Sequence, residues 1–129
     1  FGTPTIAGGR QATRSLLERA SSERPTGLFT ASLLGAIGVL AELRDTGIAV
    51  PADISVIAFN DHELAEHLDP PLTTVRMPNF RMGQEAVRLL LRAIDGEAGR
   101  DEMIDEAPQV IVRRSTAPPD AGRPADADG

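Results

Sequence analysis

The run Ile54-Ser55-Val56-Ile57-Ala58-Phe59 constrains this chain more than any other stretch. It is β-prone and apolar on both sides apart from Ser55. A strand with one wet face would show a polar residue at every second position. A near-continuous apolar run instead marks a central strand of a parallel sheet, covered on both faces. The run stops abruptly at Asn60-Asp61-His62, three polar side chains in succession. In open α/β sheets ligands bind just outside the carboxyl ends of the strands. A binding site is therefore expected at Asn60 and Asp61, with helix capping by either residue as the simpler alternative.

Around this run the helices are readable. Residues 33–46 place Leu33, Ala36, Ile37, Leu40, Ala41 and Leu43 at i, i+3, i+4 and i+7 spacing, and Gly47 stands where a C′ glycine belongs. Thr3-Pro4 reads as an N-cap with proline at the first helical position, opening a helix to about residue 21. That helix aligns Ile6, Thr13, Leu16, Leu17 and Ala20, and Gly8-Gly9 weaken it by roughly 1 kcal/mol each relative to alanine. Residues 63–67 make one or two helical turns, stopped by Asp69-Pro70-Pro71, and residues 72–76 are briefly extended. The longest helix runs over residues 79–95, with Met82, Ala86, Leu89, Leu90, Ala93 and Ile94 apolar and Gly96 ending it. Residues 103–104 and 109–114 read as strands. The tail 117–129, APPDAGRPADADG, has no large apolar side chain to bury and is expected to be disordered.

A chain of 129 residues is one domain or a large piece of one. Its start at Phe1, directly before helical sequence, suggests a piece of something longer. No apolar run approaches the ~20 residues that span a bilayer, so no membrane partner is expected. The absence of cysteine removes disulfides and fits a reducing cytoplasm. A net charge of −6 makes the chain a poor candidate to grip DNA by itself, because that binding rests on neutralising phosphates.

Catalytic patterns are weak. His62 and His67 in HELAEH are five residues apart, whereas a zinc-peptidase helix needs its two histidines four apart on one face. Five steps of about 100° leave them ~140° apart around the axis, too far for one ion to take both easily. No GxxxxGK[ST], GxGxxG or GxSxG occurs, and nothing arranges Ser, His and Asp as a triad. Arg113-Arg114 is only a pair, and Arg10, Arg14, Arg19 and Arg24 are scattered. Neither an enzyme nor a cofactor is expected.

Several separate pieces resemble the LacI/GalR family of transcription regulators, in family order and spacing. They are RPTGLFTAS, the helix ending RDTGIAVP, VPADISVIAFND, DPPLTTV, and MGQEAVRLLLRAIDG leading to QVIVRRST. The resemblance covers residues 3–118 and implies an α/β fold: a parallel-sheet three-layer lobe of periplasmic-binding-protein-like type, the C-terminal lobe plus a crossover helix. It makes residues 27–30 a strand, so that strand, helix and strand form a βαβ unit. Residues 1–116 would be the C-terminal part of an effector-binding domain, with helix 79–95 crossing toward a lobe outside this chain. That helix would fold back on its own sheet or swap onto a second copy.

By the same resemblance, Phe29, Ser32, Asn60 and Asp61 face a small-molecule effector, sugar-like or nucleoside-like. Asn60 stands where the family commonly has an acid, Ser32 where it often has Asn, and Leu33 where it has Asp. An amide both donates and accepts but carries no charge, which disfavours a ligand chosen by a carboxylate. Phe29 either stacks on a ring of the effector or packs in the core. The implied function is the sensing and dimerisation part of a cytoplasmic, homodimeric regulator that meets DNA only through a separate helix-turn-helix domain. A periplasmic sugar-binding transport protein of the same fold is the alternative.

Overall fold

The computed structural model describes residues 3–20, 23–97, 99 and 101–118. The elements in order are α1 (Ile6–Leu17), β1 (Gly27–Thr30), α2 (Leu33–Asp45), β2 (Ser55–Phe59), a 3₁₀ helix (Glu63–His67), β3 (Thr73–Arg76), α3 (Asn79–Ile94) and β4 (Gln109–Ile111). They form a four-stranded sheet of order β1-β2-β3-β4. β2 pairs in parallel with β1 and β3, and β4 closes the edge antiparallel to β3. The expected parallel α/β class is the class observed, with the organising strand inside the sheet. Among the described residues no helix is long and apolar enough to cross a membrane.

The periodic helix forms where its pattern lies. Ser32 caps α2, its Oγ accepting from the Gly35 N–H at 3.1 Å, and Gly47 takes the left-handed conformation after the last turn, φ 74°. Ala36, Val39, Leu40 and Leu43 of α2 pack on Ile54, Val56 and Ala58, with Ala65 and Leu72 closing the core. Burial of this kind stabilises by about 25 cal/mol per Å² of apolar surface.

The other face of β2 differs from expectation. Val56 and Ala58 are buried, but Ser55, Ile57 and Phe59 are only partly so. Register places Phe29, Ile57 and Thr73 side by side, then Phe59, Val75 and Val110. On this outer face Phe29 is 62% exposed and Val110 58%. The described residues supply the sheet and the α1/α2 layer, and this outer face is left open at Phe29 and Val110, while Thr73 on it is buried.

Three boundaries shift. The cap of α1 is Thr5, not Thr3, because the Thr5 hydroxyl accepts the Gly8 N–H at 3.0 Å and Pro4 falls before the helix. The helix ends at Leu17, whose carbonyl takes a hydrogen bond from Arg24 Nη2 at 2.7 Å. Gly8 and Gly9, expected only to weaken α1, are both buried, Gly8 against Thr3 and Gly9 against Gly35 of α2. Residues 103–104 form no strand, Met103 being 96% exposed. β4 stops at Ile111, because the chain beyond it bonds to loops and strand starts: Arg114 N–H to the Pro71 carbonyl, and Ser115 to β2.

α3 does not fold back on the sheet. None of its residues is buried, and Phe80, Val87, Leu90, Leu91 and Ile94 are exposed along it. Of the expected disordered tail, Ala117 is bonded through its N–H to Ser55 Oγ at 3.1 Å, and residues 119–129 lie outside the described residues.

Candidate functional site

The carboxyl ends of β1 and β2 lie side by side, Thr30 paired with Ala58. Two polar turns leave from there. After β1, Ser32 is extended and spends its hydroxyl on the α2 cap. Thr30, which sequence reasoning passed over, donates its hydroxyl to the Ser32 carbonyl at 3.2 Å and fixes the start of that turn. After β2, Asn60 takes a left-handed backbone, φ 67°, the one positive φ at a non-glycine among the described residues. Asparagine tolerates this region better than most residues. Its side chain is exposed, and its Oδ1 accepts weakly from Asn79 Nδ2 at 3.5 Å, at the start of α3.

Asp61 is placed differently. Its side chain is only 8% exposed, and both carboxylate oxygens are engaged. Oδ1 accepts from Thr74 Oγ1 at 2.6 Å and Arg113 Nη2 at 2.9 Å. Oδ2 accepts from Arg76 Nε at 3.0 Å and Nη2 at 2.5 Å. Burial pushes the Asp61 carboxyl up, but the hydrogen bonds from Thr74, Arg76 and Arg113 outweigh it and hold the pKa at about 2. Neither Asn60 nor Asp61 caps the next helix. His62 does, its Nδ1 accepting from the Leu64 N–H at 3.1 Å.

The four residues singled out in the sequence therefore divide. Phe29, Ser32 and Asn60 lie along the ends of adjacent strands, with the Phe29 ring on the open face rather than in the core. Asp61 stands beside them in sequence but joins a polar cluster with Thr74, Arg76 and Arg113. That cluster was not foreseen. Its one sequence signal was an arginine directly after a β-prone run, and nothing local marks its partner 52 positions earlier. Near β2 a second device was also missed: Ser115, fully buried, accepts from the Thr73 N–H at 2.8 Å and donates to the Val56 carbonyl at 2.6 Å.

Comparison with known proteins gives the family. The family model described as a periplasmic binding protein-like domain matches residues 2–116. The HTH-type transcriptional regulator MalR of Streptomyces coelicolor is 41% identical over 122 residues, covering 93% of this chain and 34% of that protein. The HTH-type transcriptional repressor PurR of Vibrio campbellii is 36% identical over 96 residues, 74% of this chain and 29% of the relative. The crystal structure of a LacI family transcriptional regulator from Mycobacterium smegmatis superposes with a TM-score of 0.82 at 31% identity, over 92% of this chain and 44% of the other. A LacI family regulator from Enterococcus faecalis with bound ribose gives 0.76 at 32% identity, over 91% and 42%. The chain spans about a third of the length of the curated relatives it matches. It belongs to the periplasmic binding protein-like domain family, as found in the LacI family of transcriptional regulators.

Proposed function

We propose that this chain is the effector-sensing and dimerisation part of a LacI-type regulator. In this reading residues 1–116 belong to the effector-binding domain of a non-enzymatic, cytoplasmic homodimer. Operator DNA is contacted by a helix-turn-helix outside these residues. The effector is a small polyhydroxylated molecule, a sugar or a nucleoside. The observation that carries the reading is the polar edge formed where the parallel strands β1 and β2 end, in a chain of this family. Ser32, whose Oγ accepts the cap bond and keeps its proton to donate, and Asn60 would bond hydroxyls there and Phe29 would offer an apolar wall, while Asp61 holds the turn behind Asn60.

Two further observations support it. Relatives 36% and 41% identical over the stretch they share with this chain are named as regulators, which favours sensing over transport. α3 is amphipathic yet buries no residue, as expected of a helix that crosses to a second body. The test is a thermal-unfolding screen of the natural full-length protein against pentoses, hexoses and purine nucleosides. A saturable rise in the midpoint with one of these classes is expected, because a ligand that binds only the folded state stabilises it by mass action. Asn60→Gly, which removes the amide but suits the left-handed backbone, should abolish the rise while leaving the unliganded midpoint nearly unchanged. If no sugar or nucleoside shifts the midpoint at millimolar concentration, the effector assignment fails.

A further inference from the structure

The left-handed turn at Asn60 is disfavoured for an L residue and needs something to hold it. The neighbouring carboxylate is what the structure fixes. Asp61 is gripped by Thr74 and Arg76 of β3 and by Arg113, which lies two residues beyond β4. Arg113 is itself anchored independently of Asp61. Its Nη1 donates to the Leu72 carbonyl at 2.8 Å and to Thr74 Oγ1 at 2.9 Å, and its backbone N–H donates to Thr73 Oγ1 at 3.0 Å. Its side chain is 13% exposed. The guanidinium thus joins three groups, the Asp61 carboxylate, the Leu72 carbonyl and the Thr74 hydroxyl, that lie 39 to 52 positions before it. A planar fork of donors suits this task, and a lysine ammonium, a single point of charge, does not.

We infer that Arg113 is a positioning residue for the ligand edge. Through Asp61 it holds the turn that presents the Asn60 amide, and it ties that turn to the segment returning from α3. The inference rests on reading Asn60 as ligand-facing. Because β4 and Arg113 follow α3 in the chain, any displacement of the returning segment pulls on the Asn60 turn. By linkage, a ligand that prefers one form of the turn biases the position of that segment.

The experiment uses the natural full-length protein with assigned backbone resonances, in wild type, Arg113→Lys, Asp61→Asn and a control, Arg114→Lys, whose side chain is exposed. The readout is the pair of Asn60 carbon shifts that report a left-handed backbone, followed by titration with D-ribose as probe. In Arg113→Lys and Asp61→Asn the left-handed signature should fade and ribose binding weaken at least about tenfold, the loss of one aligned polar contact. Arg114→Lys should change neither. An unchanged Asn60 signature in folded Arg113→Lys and Asp61→Asn overturns the inference. So does loss of spectral dispersion in both, since the tie would then hold the fold and not the turn. If wild type shows no ribose binding while the Asn60 signature responds as expected, the positioning role stands and the ribose-like effector is what fails.

Discussion

Gly9 of α1 lies so close to Gly35 of α2 that a Cβ on Gly9 would stand 2.2 Å from the Gly35 carbonyl oxygen. Gly38 is as tightly placed, 2.1 Å from the Ile6 carbonyl by the same construction. Both contacts are with backbone, which cannot swing aside. Gly9→Ala or Gly38→Ala should destabilise the chain by about 1–3 kcal/mol through overpacking. Gly83→Ala, in open space on α3, should instead be neutral or stabilising by up to ~1 kcal/mol. Urea unfolding midpoints check both directions.

Ser115→Ala removes one hydroxyl but strands two backbone groups, the Thr73 N–H and the Val56 carbonyl. Each buried group left without a partner costs about 1–3 kcal/mol. A loss of roughly 2–4 kcal/mol is expected by urea titration, large for a change of one oxygen atom. Ser115→Thr, which keeps the hydroxyl, should lose less if the added methyl is accommodated.

Acid should weaken the fold through Asp61. Its pKa is lowered from the ordinary 3.8 to about 2 in the folded chain. A depressed carboxyl contributes stability that is fully present above its unfolded pKa and is lost as pH falls through its folded one. The window is therefore pH 4 down to pH 2, and the amount on the order of 2 kcal/mol. Asp61→Asn should be less stable at neutral pH and show a flatter decline across this window. A decline of the same slope in wild type and variant would show that other carboxyls dominate.

The exposed apolar residues of α3 should be energetically quiet within this chain. Leu90, 60% exposed, can become Gln with a change within about 0.5 kcal/mol. Leu43, fully buried under the sheet, should cost about 2–5 kcal/mol when cut to alanine. In the natural full-length protein Leu90→Gln should become costly, because that helix would then be packed. Comparing the two chains by the same unfolding assay separates a free α3 from a docked one.

What could be read in advance follows from how locally each feature is encoded. α2 and β2 announce themselves, the first by its 3.6-residue period and the second by an apolar run ending in polar residues. The strand-end position of Asn60 came with β2. Coverage of β2 on both faces did not follow, because Ile57 and Phe59 are apolar whether or not this chain supplies what lies over them. Gly9 looked like a flaw in a helix, since its purpose lies against Gly35 of another helix. Asp61 and Arg113 were visible as residues but not as partners, because nothing in a run of sequence records that a loop and a returning strand will meet. Thr3 before Pro4 read as the cap of α1, whereas the bond from the Gly8 N–H makes Thr5 the cap.

The seam between Ser115 and Val56 also sets an order of events. The two residues exchange hydrogen bonds across 59 positions, with the Val56 N–H donating to the Ser115 carbonyl at 2.8 Å. During synthesis β1, α2, β2 and β3 emerge well before Ser115 does, and contacts of such separation form late. Until the ribosome has released residues 113–117, the starts of β2 and β3 lack their buried partners and the sheet edge at β3 is unpaired. The nascent chain is then at its most adhesive, and any pause in translation shortly before Arg113 should raise its demand for chaperones.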